Sequence, residues 1–308
     1  MRLFIAVILS VIAGATRVSG QALNPEFIHG RDYIFDRMVA TRALYDAEDK
    51  GTIRLVAYVY RPIKNDRNEV VLFSHGSTGG MIRSPKEPSD WPPPSIVRFF
   101  VSRGYTLVAP MRRGRGESSG TYVEECAFYL DQCTLAQQVA MTDRSLREAL
   151  LDTNAVIDQL ILGRLIPRQS KIVVGGISRG GFLSLMLAGQ RPEVVKGVIN
   201  FVGGWHSVSD KYSSSDNQLR LDAQTVRLTQ AAKRTSAPSI WIYAARDPFY
   251  NEATTREFFR SWREAGGQAE YIYVSDHSLP SGHAVASDPT LWGRQVDDFL
   301  KRVDPVKR

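Results

Sequence analysis

Apolar residues along the chain fall into short runs separated by segments of helical spacing. The runs at 70–74, 105–110, 172–174, 194–202, 239–245 and 269–274 are largely apolar, as strands covered on both faces are. Segments 33–39 and 52–60 alternate in part between apolar and polar, and a turn at 48–51 joins them. That pattern predicts an early antiparallel pair. Helical spacing marks 95–103, with Ile96, Val97, Phe99 and Phe100 on one face and Gly104 closing it. It also marks 142–162, through Leu146, Leu150, Ile157, Leu160 and Ile161, stopped by Gly163 and Pro167. Further helices are predicted from 179 to about 191, at 251–265 and at 289–300. Segment 207–237 is polar, with one helical stretch around Leu219, Leu221, Val226 and Leu228. Strand, helix and strand in alternation predict an α/β fold with a mostly parallel sheet.

The first twenty residues depart from this pattern. Arg2 precedes an apolar run, 3–13, and smaller residues follow to Gly20. A short basic start, an apolar centre and small residues before a cut, here Val18 and Gly20, are the parts of a secretory signal. The run is short for a membrane span. The expectation is export, to the periplasm or outside the cell, after cleavage near Gln21, with no stable membrane span afterwards. Residues 21–308 are expected to form a single domain. Two cysteines, Cys126 and Cys133, lie close together in a chain expected to leave the cytoplasm. A disulfide between them is the expectation. No His/Cys cluster accompanies them, so neither a metal nor another cofactor is expected.

The formal charge is +7, but the excess is dispersed. Arg112, Arg113 and Arg115 form the one tight basic cluster, inside a glycine-rich turn ending Gly116-Glu117-Ser118. Loop charge runs are usually solvated, and a solvated cluster is expected, with Glu117 pairing to a neighbouring arginine. No basic helix with interleaved aromatics stands out, so a nucleic-acid partner is not expected.

Candidate chemistry sits at the ends of the apolar runs. Gly176-Ile177-Ser178-Arg179-Gly180 fits G-x-S-x-G, a strand that turns abruptly into a helix. The residues two before and two after such a serine must be small, or strand and helix collide. Ser178 Oγ then stands above the sheet, and the N–H of Arg179 opens the next helix, where it can face a developing oxyanion. After the run 70–74 come His75-Gly76-Ser77-Thr78-Gly79-Gly80. Glycine lets the backbone turn an N–H inward. Ser77 is the expected second oxyanion donor, with Thr78 next, and His75 is expected to brace the loop. Asp247 follows the run 239–245, and His283 lies in the loop after 269–274. Asp276 and Asp288 are rival acids, and His277 is a rival base. Trp205 and His206, just after the run 194–202, are candidate pocket residues; plain packing is an equal alternative for Trp205.

The order Ser178, Asp247, His283, together with His75-Gly76, resembles the α/β-hydrolases. The Arg113-Gly114-Arg115-Gly116-Glu117-Ser118 turn and Arg179-Gly180-Gly181 are most similar to the dienelactone-hydrolase and prolyl-oligopeptidase-like branch. The chain lacks the propeller of true oligopeptidases and has Ser where dienelactone hydrolases use Cys. The resemblance implies an α/β-hydrolase fold with helices on both faces of the sheet and at most a small cap, within 204–238. It implies a serine hydrolase cleaving small or medium carboxylic esters through an acyl-enzyme. A peptidase or amidase, which would take a peptide substrate, uses the same groups. An inactive binding protein of the same fold is the third alternative.

Overall fold

The computed structural model describes residues 33–45, 50–77, 91–122, 134–167 and 170–305. The expected signal segment and Thr78 lie outside them. In chain order the elements are β1 (Tyr33–Tyr45), β2 (Lys50–Pro62), β3 (Glu69–Ser74), α1 (Pro94–Val101), β4 (Tyr105–Pro110), α2 (Leu135–Leu162) and β5 (Ile172–Ile177). They continue with α3 (Arg179–Gln190), β6 (Val195–Phe201), α4 (Ser214–Ala232), β7 (Ser239–Ala244), α5 (Glu252–Glu264), β8 (Ala269–Val274) and α6 (Gly293–Val303).

The strands form one eight-stranded sheet in the order β1-β2-β4-β3-β5-β6-β7-β8. β2 runs antiparallel to both β1 and β4, and every pairing from β4 to β8 is parallel. The apolar runs became these parallel strands because both faces are covered. Residues 105–110 of β4 and 239–244 of β7 are buried throughout. α2, α3, α4 and α5 pack in succession along one face. α1 and α6 lie together on the other, where Phe99 and Phe201 both pack on Trp292. Burying each such ring contributes on the order of 1.5–3 kcal/mol.

Parallel strands place their C-terminal ends on one edge. The chain leaves β3 toward β4 and leaves the neighbouring β5 toward β6 on the opposite side, and the crevice at that switch point is where open α/β sheets hold their sites. β3, β5, β7 and β8 all deliver candidate residues there.

Several expectations shift. α2 begins at Leu135, seven residues before the predicted start, because Thr134 caps it. Thr134 Oγ1 accepts the Gln137 N–H at 3.2 Å and Gln137 Oε1 accepts the Thr134 N–H at 2.8 Å, a reciprocal capping box. α6 begins later than 289, because Asp288 Oδ1 first closes a local turn on the Thr290 N–H at 3.0 Å. Segment 204–238 supplies α4, which packs on α3 and α5.

The expected Cys126–Cys133 disulfide falls on cysteines that both lie outside the described residues, among which no disulfide occurs. Another expectation is corrected. The arginine cluster is not solvated. Arg112, Arg113 and Arg115 are all buried. Arg113 forms hydrogen bonds to Asp152 and Glu148 of α2, both at 2.7 Å, and Arg42 of β1 joins the same two carboxylates. Glu117 pairs with Arg37 of β1 at 2.9 Å, not within its own turn. No helix among the described residues is long and apolar enough to cross a membrane.

Candidate active site

Ser178 joins β5 to α3 with φ 56° and ψ −123°. Positive φ of this kind strains any side-chain-bearing residue. The surroundings enforce it. Ser178 N–H donates to Phe201 O at 2.8 Å, and its carbonyl accepts the Phe182 N–H at 3.1 Å. A Cβ on Gly176 would stand 2.5 Å from Gly180 C and from Ser74 O. One on Gly180 would overlap the Ser74 carbonyl and stand 2.5 Å from that of His75. The small residues anticipated from the motif are therefore required by close approach of β3, β5 and α3. Ser178 itself is 9 % exposed.

Arg179 opens α3, so no earlier carbonyl of that helix can accept its N–H. Its side chain donates through Nε to Trp205 O at 3.0 Å. The His75-Gly76-Ser77 segment lies directly beside the elbow: a Cβ on Gly76 would stand 3.2 Å from Ser178 Cβ. His75 braces this loop, with Nδ1 2.7 Å from Gly76 O. Ser77 Oγ is buried without a hydrogen-bond partner.

Asp247 and His283 meet. His283 Nδ1 lies 2.8 Å from Asp247 Oδ2. The other carboxylate oxygen accepts the N–H groups of Phe249 at 2.8 Å and Tyr250 at 3.3 Å, which fixes the carboxylate plane. His283 lies in a 3₁₀ turn, Gly282–Ser287, capped by Ser281 Oγ on the His283 N–H at 3.1 Å. A Cβ on Gly282 would overlap the Ala245 carbonyl, so glycine brings this turn against the end of β7. The rival base is engaged elsewhere. His277 Nε2 bonds Ala245 O at 2.8 Å, and Nδ1 lies 3.0 Å from Arg246 Nη2. Asp288, a rival acid, accepts Thr290 Oγ1–H at 2.6 Å.

Trp205 and His206 sit behind the elbow, both buried. Trp205 Nε1 donates to Ser145 Oγ at 3.1 Å. Gln224 of α4 accepts the N–H of Trp205 at 2.6 Å and that of His206 at 3.1 Å. Burial, reinforced by Arg179, Arg220 and Arg227, pushes the His206 imidazole down to about 3, so it is neutral near pH 7. Burial, then the nearby Asp247 charge, pushes the Tyr250 phenol up.

Sequence reasoning missed three contributors. Phe249 and Tyr250 pack on the His283 ring, the former with centroids 4.6 Å apart. Phe249 is nonetheless 42 % exposed. The aromatic pair directly after Asp247-Pro248 was the available signal. The third is Arg112, whose backbone N–H donates to His75 Nε2 at 3.1 Å. Among the described residues, no group of three or more His, Cys, Asp or Glu side chains could hold a metal ion.

A family model described as the alpha/beta hydrolase fold matches residues 69–239, more than half of the chain. No curated protein matches it in sequence. Solved structures match over most of its length. An esterase of Pyrococcus furiosus superposes with a TM-score of 0.59 at 16% identity, covering 87% of this chain and 91% of its own. Acetyl xylan esterase 1 from Thermoanaerobacterium gives 0.54 at 15% identity, covering 92% and 89%. The Pyrococcus horikoshii acylaminoacyl peptidase gives 0.57 at 16% identity, covering 90% of this chain but 43% of that one. At such identities these likenesses establish the fold alone.

Proposed function

Because the chain belongs to the α/β-hydrolase-fold family, we propose that it is a serine hydrolase cleaving small or medium carboxylic esters through an acyl-enzyme. The observation that carries this is the His283–Asp247 hydrogen bond of 2.8 Å at the sheet edge that also bears the strained Ser178 elbow. The carboxylate holds the proton of His283 on Nδ1 and leaves Nε2 as the base. Ser178 Oγ attacks the ester carbonyl carbon while Nε2 takes its proton. The N–H groups of Arg179 and Ser77 stabilise the oxyanion, each contributing about 3–4 kcal/mol. The intermediate collapses, the C–O bond to the alcohol breaks, and His283 returns the proton to the departing alkoxide. Water then repeats the sequence, with His283 as base, and releases the acid.

The same groups cleave amides, and the fold likeness to an acylaminoacyl peptidase places aminoacyl and prolyl nitroanilides beside p-nitrophenyl acetate and butyrate in the substrate panel. Ser178→Ala is expected to abolish turnover and fluorophosphonate labelling. His283→Ala should reduce turnover by on the order of 10³-fold or more, and His277→Ala should leave most of it. A fully active Ser178→Ala variant would exclude the assignment. Failure of the wild type to label at Ser178 would favour a ligand-binding role on this fold.

A further inference from the structure

The turn after β4 holds the loop after β3 through a single side chain and its own backbone. Arg112 Nη1 donates to His75 O at 2.7 Å, and Nη2 donates to Gly76 O at 2.9 Å. The Arg112 peptide N–H donates to His75 Nε2 at 3.1 Å. A peptide N–H cannot accept, so His75 Nε2 is the acceptor and the ring proton resides on Nδ1. That Nδ1–H donates to Gly76 O at 2.7 Å. The Gly76 carbonyl thus accepts from both the imidazole and the guanidinium, which fills its two lone pairs.

This carbonyl has a specific partner. It belongs to the peptide unit joining Gly76 to Ser77, whose other end is the Ser77 N–H. In a planar trans peptide, C=O and N–H point in opposite directions. Fixing the oxygen therefore fixes where the N–H aims. Two donors on the oxygen, one of them cationic, also polarise the amide and strengthen its N–H as a donor. The effect is little screened, because Arg112 is 4 % and His75 2 % exposed. The unit lies against the nucleophile, as the 3.2 Å from a Gly76 Cβ to Ser178 Cβ records. Arg112 is itself set firmly. Arg113 is anchored on Asp152 and Glu148, and Ser118 Oγ donates to Met111 O at 2.7 Å.

We infer that Arg112, acting with His75, is the positioning residue of the oxyanion hole, holding and polarising the Gly76–Ser77 peptide so that its N–H meets the developing oxyanion. The inference rests on the serine-hydrolase function proposed above. Arg112 touches no substrate; it acts through the peptide.

Arg112→Lys keeps a cation and loses the two-pronged grip. With p-nitrophenyl butyrate, kcat is expected to fall about 10²-fold, the size of effect that small misplacement of a reacting group produces, with KM little changed. A peptidyl or alkyl trifluoromethyl ketone, which forms a tetrahedral oxyanion adduct on serine, should lose affinity by the same factor as kcat/KM. His75→Gln removes the second donor and should move kcat and ketone affinity together, by about 10-fold; it carries the test should Arg112→Lys not fold. Thermal unfolding of each variant gives the structural comparison. Ketone affinity unchanged while kcat falls, or wild-type kcat in a folded Arg112→Lys protein, would overturn the inference and leave the hydrolase assignment intact. A wild type with no Ser178-dependent turnover or labelling would overturn both.

Discussion

Ser178 is strained by design of its surroundings, and that strain is measurable. A residue held at φ 56° and ψ −123° costs of order 1–3 kcal/mol. Removing only the hydroxyl leaves the cost, because Ala retains the Cβ. Removing the Cβ relieves it, less the extra chain entropy that Gly loses on folding, about 0.5–1 kcal/mol. Ser178→Gly is therefore expected to be more stable than Ser178→Ala by about 1 kcal/mol, read from urea unfolding midpoints at equal m-value. Both should be inactive. Equal stability would mean that the elbow relaxes without its serine. This geometry was legible in the sequence, because Gly176 and Gly180 also crowd each other across Ser178, so their spacing reports part of the steric requirement even though β3 supplies the rest. The role of Arg112 was not legible, since it depends on what a distant segment places beside it.

At the scale of elements, the least expected feature is the charge cluster between β1, the turn after β4 and α2. Arg113, Glu148 and Asp152 are buried, and Arg42 is nearly so. Two cations face two carboxylates, so the cluster is internally balanced, and removing one member leaves an uncompensated buried charge. Asp152 accepts from both arginines. Asp152→Ala is expected to destabilise the fold by about 3–5 kcal/mol, measured by denaturant unfolding, with a smaller loss for Glu148→Gln. A change below about 1 kcal/mol in Asp152→Ala would show that the arginines find water instead. Local charge density read from sequence favours solvated arginines. Burial overrides it because α2 carries Glu148 and Asp152 under the turn, where both accept from Arg113. The helix start was itself readable, in the Thr134-to-Gln137 spacing that marks a capping box, but the contacts of Arg113 with Glu148 and Asp152 join residues 35 or more apart.

For the whole molecule, the strands were the most legible layer, because apolar runs covered on both faces leave little freedom of placement. Their order in the sheet was not, since pairing is settled by which helices cross which face. That order makes β6, β7 and their loops a wall behind Ser178, and within it lies His206, buried among Arg179, Arg220 and Arg227. Its folded pKa of about 3, against 6.5 unfolded, links this wall to global stability. Above pH 6.5 neither state binds the proton, and the contribution to stability is fully present. As pH falls below 6.5 the unfolded chain binds it first, so stability drops by about 1.4 kcal/mol per pH unit until the folded imidazole titrates near 3. Carboxylates titrate in the same range, so the difference between wild type and His206→Gln isolates the imidazole. Relative to its own value at pH 7, the wild type should lose roughly 2 kcal/mol more than the variant by pH 5, in chemical unfolding at each pH. Parallel acid limbs would mean that His206 is protonated at little cost within the fold.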